Sequence, residues 1–325
     1  MRKTCLDMVY ELAKKDERIF FIGSDLGIGT LKQFKQEMPE RFFMEGVSEA
    51  NIIGIAAGLA LEGKIPYVNT IGTFLTRRCF EQIVVDLCLH HVNVRLIGNG
   101  GGLVYAPLGP THLAIEDLAI LRALPGMTIV APADAAEMRR LMPATVDYPG
   151  PIYIRLAKGN DPLVTKEVGS FEIGKVVLMR EGGDALIVTT GITLKLALDA
   201  SVSLSGQGME VAILHVPTIK PFDTVGFLEV AGSVPVVVAV EEHTMIGGLG
   251  SAVAEALAEA DDLPVKRFRR LGIPDVFPEG YGSQANLMAR YEITTARLTA
   301  VVTELLTQSG GPRRLTSLSP APHGA

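Results

Sequence analysis

Residues 65–97 read IPYVNTIGTFLTRRCFEQIVVDLCLHHVNVRLI, and the parsing of this stretch decides the fold. Ile65–Thr70 is a strand candidate. Thr76–His91 follows, with Cys79, Phe80, Ile83, Val84, Leu87 and Cys88 recurring at one-and-four spacing to make one apolar helix face. Val92–Ile97 is again a strand. Short β-branched runs that alternate with amphipathic stretches indicate an α/β protein with parallel sheets. Upstream, the alternation gives strands Ile19–Ile22 and Phe42–Val47 with helices Leu31–Met38 and Glu49–Glu62. Downstream, it gives helices Ala114–Leu124 and Asp134–Val146 with strands Met127–Val130 and Ile152–Leu156. The periodicity lapses from Lys158 to Gly174, which marks a linker. A second series then runs through Ala185–Thr189, a helix from Thr193, Glu210–Val216, Val234–Val240, a helix from Leu249, Val265–Phe268 and a last helix at about Thr294–Leu306. The expected organisation is a doubly wound parallel-sheet domain over residues 1–165 and a smaller α/β domain over 175–308. The tail 309–325, rich in Pro, Ser and Gly, is expected to be disordered.

The chain has 325 residues, 48% hydrophobic and 20% charged, with a mean hydropathy of +0.30. That is apolar for a water-facing surface, so either the core is large or another chain covers part of the exterior. No apolar run reaches the ~18 residues of a membrane span, and Asp7 and Glu11 interrupt the N-terminus before any secretory signal forms. Thirty basic residues against thirty-six acidic give a net charge of −6 with no basic block, which argues against nucleic acid. The three cysteines, Cys5, Cys79 and Cys88, are too scattered for a disulfide framework or a zinc site. A cytoplasmic location fits this composition.

Common motifs are absent. Neither Gly63-Lys64 nor Gly174-Lys175 continues into Ser or Thr, so there is no phosphate-binding P-loop. The glycine run from Gly98 ends in Leu103 where a dinucleotide fingerprint needs Gly. His90-His91 ends a helix, where it complements the dipole better than it binds a metal. Three strand-end segments remain. The first is Glu45-Gly46-Val47-Ser48-Glu49-Ala50-Asn51, with Ser48 as N-cap and Glu49 in the first helical turn. Behind it, Ala50, Gly54, Ala57 and Gly58 leave room for another backbone to approach closely. The second is Asn69 to Arg78, in which Phe74 is either a staple closing the helix onto the sheet or a platform for a flat heterocycle. The third runs from Gly98 to Glu116 and displays His112 on a glycine-rich loop at a strand's carboxyl end, where open α/β sheets place ligand contacts. Thr189-Thr190-Gly191 and Glu242-His243…Gly247-Gly248-Leu249-Gly250 precede helices and either bind anions or serve packing; packing is favoured.

Together these segments resemble the transketolase superfamily of thiamine-diphosphate enzymes, and specifically the C-terminal half of transketolase, from Arg2 to about Leu306. Gly46-Val47-Ser48-Glu49 with Ala56-Ala57-Gly58-Leu59-Ala60 resembles the glutamate segment, and Gly72-Thr73-Phe74 with Arg77 and Gln82 the pyrimidine-stacking segment. Thr111-His112…Glu116-Asp117-Leu118…Leu121-Arg122…Pro125-Gly126 is similar to the substrate-histidine segment. The resemblance implies a pyrimidine-binding domain followed by a transketolase C-terminal domain. It implies that Glu49 binds N1′ of the aminopyrimidine and promotes formation of the thiazolium ylid, that Phe74 stacks on the pyrimidine and Arg77 contributes to the cofactor site, and that His112 bonds the sugar hydroxyls. A two-carbon ketol unit would pass from a ketose to an aldehyde.

Full-length relatives hold the diphosphate through Mg²⁺ in an earlier domain marked by Gly-Asp-Gly…Asn. Nothing here matches it. The resemblance therefore implies the C-terminal-half chain of a split enzyme, paired with a separate N-terminal-half chain in an α2β2 assembly, with no metal ligands of its own. In the acceptor pocket, Arg2 matches one phosphate-binding arginine, and Lys158 stands where a second is expected. Gly29, Gly100 and Leu108 replace a serine, a histidine and an aspartate. Donor chemistry is therefore expected to be intact, with an acceptor other than a standard pentose phosphate: an unphosphorylated, sulfonated or branched sugar, or another aldehyde. The alternatives are the β subunit of a 2-oxoacid dehydrogenase E1, a deoxyxylulose-phosphate-synthase-like enzyme, or a degenerate partner chain kept for assembly.

Overall fold

The computed structural model describes residues 1–24, 29, 31–159 and 161–307. The tail expected over 309–325 lies outside them. The order is α1 (Arg2–Ala13), β1 (Ile19–Gly23), α2 (Lys32–Glu37), β2 (Phe42–Met44), α3 (Glu49–Leu61), β3 (Ile65–Ile71), α4 (Gly72–Thr76) and α5 (Phe80–Gln82). Then come β4 (Arg95–Asn99), α6 (Asp117–Arg122), β5 (Thr128–Val130), α7 (Ala135–Ala144) and β6 (Ile152–Leu156). Past the linker follow β7 (Val177–Arg180), β8 (Ala185–Thr189), α8 (Thr193–Ser205), β9 (Val211–His215), β10 (Thr218–Lys220) and α9 (Thr224–Gly232). The chain continues through β11 (Val236–Thr244), α10 (Leu249–Ala258), β12 (Arg267–Ile273), α11 (Gln284–Arg290) and α12 (Thr295–Thr307).

The first sheet runs β10-β5-β6-β4-β3-β1-β2, parallel except for β10. Its central strands are buried on both faces, as parallel strands covered by helices must be. Phe21, Tyr67, Ile97 and Ile154 face α1 and α7, packing with Cys5, Leu6, Val9, Met138 and Leu141. Their neighbours Ile22, Val68 and Leu96 point the other way, onto Ile52 and Ile53 of α3 and onto Ile83 and Leu87. The second sheet runs β12-β11-β8-β9-β7 with β7 antiparallel. One core cluster crosses from Val68 and Leu96 through Ile129 and Val216 to Leu214 and Val237, so the two sheets share a packed boundary.

Three departures from the sequence reading have physical causes. The long helix expected over Thr76–His91 breaks into α4, a turn at Arg77–Cys79, α5, and a π-helical stretch Ile83–Cys88. Cys79, Ile83 and Leu87 still turn inward, because a four-residue spacing fits an α- and a π-turn nearly equally. The expected linker holds no regular element, yet β10 lies beyond it and pairs antiparallel with β5 of the first sheet. Among the helices, α1 was not among the candidates: no polar side chain caps it, and only Thr4, Cys5, Leu6, Val9 and Ala13 mark its buried face.

Candidate active site

Gly46, at φ +68°, turns the chain from β2 into α3. Ser48 occupies the N-cap position, but its Oγ donates to the Glu45 carbonyl at 2.8 Å and does not cap the helix. Glu49, the first residue of α3, is 2% exposed. A buried carboxylate needs a partner, and Arg78 supplies it, its Nη1 donating to Glu49 Oε2 at 2.5 Å. The Arg78 guanidinium also lies over the Phe74 ring, 4.6 Å from its centroid. His112 meets the same ring edge-on, with centroids 5.2 Å apart. Glu49, Phe74 and His112, distant in sequence, therefore converge on one spot at the carboxyl ends of the parallel strands.

His112 closes a short 3₁₀ turn, Pro110–His112, and its Nδ1 lies 2.9 Å from Thr111 Oγ1. Arg77 is engaged on the third segment. It ties down the His112 loop, bonding Glu116 and donating from Nη2 to the Leu113 carbonyl at 2.8 Å. A buried knot anchors the same loop from below. Arg155 binds Asp117 through Nε at 2.8 Å and also donates to the carbonyls of Ala114 and Glu242, each at 3.0 Å. Tyr153 donates to Asp117 at 2.8 Å. Burial opposes ionisation of Asp117 most strongly, but Arg155, with His243 and Tyr153, holds its carboxyl below the ordinary value. Gly98 is obligatory above this knot, because a Cβ there would lie 2.4 Å from the Tyr153 hydroxyl oxygen.

Arg2 and Lys158, from opposite ends of the first domain, line one cavity of about 270 Å³ together with Gly100, Val104, Tyr105, Pro107, Leu108 and Ala157. Leu103, in the loop behind it, donates its N–H to Glu242 Oε1 at 2.7 Å, and Gln284 donates to the same oxygen at 2.8 Å. Burial pushes the Glu242 carboxyl up to about 7, against the pull of Arg155. The N-terminus of α10 is filled from within: Glu241 accepts from the N–H groups of Leu249 and Gly250 at 2.7 and 2.8 Å, which accords with packing.

The site fits the pyrimidine end of thiamine diphosphate. A buried carboxylate and an aromatic face are already spanned by a flat group that donates hydrogen bonds in its own plane. Among the described residues, no cluster of three or more His, Cys, Asp or Glu is placed to hold a metal ion. No described helix is long and apolar enough to cross a membrane. The sequence assigns no role to Arg78, Tyr153 or Arg155, and it names Asp117 and Glu242 only within longer segments, without the knot that joins them. The adjacent arginines 77 and 78 were the available signal, but only the turn between α4 and α5 shows which one faces Glu49.

The transketolase pyrimidine-binding domain family matches residues 1–162, and the transketolase C-terminal domain family matches residues 174–298. The chain is 39% identical over 303 residues to the 6-deoxy-6-sulfo-D-fructose transketolase subunit SqwH of Clostridium sp. (strain MSTE9), covering 90% of this chain and 94% of that protein. It is 38% identical over 276 residues to an apulose-4-phosphate transketolase subunit of Phocaeicola vulgatus, covering 84% and 87%. A solved structure described as a split gene transketolase, inactive beta4 tetramer, superposes with a TM-score of 0.85 at 36% identity, over 94% of this chain and 97% of that one. With both domains present in order and relatives of matching length aligned nearly end to end, this chain is a member of the transketolase family.

Proposed function

We propose that the chain is the C-terminal-half component of a split transketolase, with residues 1–165 and 175–308 as its two units. It works in the cytoplasm with a separate N-terminal-half chain, which holds the diphosphate and Mg²⁺, in an α2β2 assembly. Thiamine diphosphate, when bound, supplies the carbon centre that takes a two-carbon ketol unit from a ketose and passes it to an aldehyde. Glu49 would hold the proton at N1′ of the aminopyrimidine, shielded from water by its burial. Phe74 would lie against the pyrimidine ring, and His112, edge-on to Phe74, would bond the sugar hydroxyls. Arg77, bonded to Glu116 and Leu113, would keep the His112 loop in place at the cofactor site. The observation that carries this reading is the meeting of a buried carboxylate, an aromatic face and a histidine at one point.

Arg2 and Lys158 would bind an anionic terminus of the acceptor in their shared cavity. Lys158 offers a point charge without arginine's planar fork, and Leu108 offers no bond to a hydroxyl. These groups favour an acceptor other than ribose 5-phosphate, and relatives named for 6-deoxy-6-sulfo-D-fructose and apulose 4-phosphate support a pocket that varies within the family.

The test is reconstitution with a partner containing Gly-Asp-Gly…Asn, followed by an assay of xylulose 5-phosphate cleavage with thiamine diphosphate and Mg²⁺. Glu49→Gln is expected to lower kcat by about 10²–10⁴, the range for losing a positioned proton-transfer group, with the complex intact. Normal turnover by a correctly assembled Glu49→Ala complex would refute this role, and tight thiamine diphosphate binding by the chain alone would refute the split site. Decarboxylation of a 2-oxoacid without ketol transfer would indicate the E1β alternative.

A further inference from the structure

Arg78 has no task in the reaction just described, yet it stands between that reaction's two principal groups. Its Nη1 donates to Glu49, while its guanidinium carbon sits 4.6 Å from the Phe74 centroid. A guanidinium is flat and delocalised, stacks on aromatic faces and donates hydrogen bonds in its own plane. An aminopyrimidine stacked on Phe74 with a ring nitrogen toward Glu49 would need the same face and the same carboxylate. Both cannot be there at once.

We propose that Arg78 is a place-holder for the coenzyme: in the chain without thiamine diphosphate its guanidinium fills the pyrimidine half-site, and it must swing out for the coenzyme to enter. This rests on the proposed function and adds to it a step of displacement. The local structure allows such a swing. Arg78 lies in the turn between α4 and α5, and its side chain is 46% exposed, against 2% for Glu49. The preceding residue, Arg77, is fastened to Glu116 and Leu113, which gives the turn a fixed point. The guanidinium can therefore move into water while the carboxylate cannot. An unpaired buried carboxylate is costly, so the place-holder keeps Glu49 paired and aimed until the coenzyme takes over.

A half-site blocked for most of the time weakens the apparent affinity by its open fraction. The measurement is calorimetric titration of thiamine diphosphate with Mg²⁺ into the reconstituted complex, comparing wild type, Arg78→Met and Arg78→Lys. Methionine keeps a long apolar stem and removes the flat cation; lysine keeps the charge and loses the plane. Arg78→Met is expected to bind roughly five- to thirtyfold more tightly, the combined effect of a half-exposed ion pair and a cation–π contact, with Arg78→Lys in between. An unchanged far-ultraviolet circular dichroism spectrum of each variant chain would show that the fold is preserved. Affinity for Arg78→Met equal to or weaker than wild type would overturn the proposal. A wild-type complex that takes up no thiamine diphosphate would overturn the functional reading itself, and the place-holder with it.

Discussion

At the scale of single residues, burial and a few named partners set the behaviour of the charged groups. Glu242 is a case outside the site. Its carboxyl, pushed by burial from 4.5 to about 7, faces Arg155 and Asp117 and accepts from Leu103 and Gln284. Because the folded chain binds this proton more tightly than the unfolded one, the stability from Glu242 is greatest below about pH 4.5 and declines as pH rises through 7. Above that, the charged form costs on the order of 3 kcal/mol, at 1.36 kcal/mol per unit. Glu242→Gln, which keeps an acceptor for Leu103, is therefore expected to raise the melting temperature at pH 8 and change it little at pH 4.5, as followed by circular dichroism. Glu49, Phe74 and His112 were singled out in the sequence because each sits on a polar or glycine-rich strand-end segment that resembles the family's, and the structure brings the three together. The partners of Arg78 and Glu242 were not legible. What matters at those positions is which groups from elsewhere in the chain face them, and spacing does not encode that.

At the scale of elements, α7 shows how one side chain can fix a helix and a linker together. Asp134 caps α7 by accepting from the N–H groups of Ala136 and Glu137 at 2.8 and 3.0 Å. Its other oxygen accepts from Val164 and Thr165 at 2.6 and 2.8 Å. Burial works against the Asp134 charge, but these bonds hold the carboxyl below its ordinary value, so its contribution is lost as pH falls below the usual carboxylate range. Asp134→Ala strands several donors and is expected to cost roughly 2–4 kcal/mol in urea unfolding, with Asp134→Asn costing less. Asp134 stood at the start of a helix in the sequence reading, and its bond to the linker was invisible there. The strands were read closely, Ile152–Leu156 and Ala185–Thr189 to the residue, because central strands are continuous apolar runs. Short antiparallel additions such as β7 and β10 carry too few residues to announce themselves.

At the scale of the whole molecule, the apolar composition is only partly spent on the core. On α3, Asn51, Gly54, Gly58 and Leu61 are exposed, and a Cβ on either glycine would meet nothing within 4 Å. Gly58→Leu should raise the chain's own helix stability by about 1 kcal/mol. The same change is expected to abolish co-elution with the N-terminal-half chain in size-exclusion chromatography, if this face is where the partner's backbone approaches. Normal co-elution would place the interface elsewhere. The two-domain plan was legible from the lapse in periodicity, whereas the sharing of a sheet across it was not. That sharing bears on how such a chain can be dissected. Three residues, Thr218–Lys220, seal a border strand in a unit to which they do not belong by order along the polypeptide. A fragment severed in the linker would leave Thr128–Val130 with a bare row of amides and carbonyls, an invitation to aggregate. Residues 1–165 expressed alone are thus expected to be less soluble than the full chain, as centrifugation of the two would show.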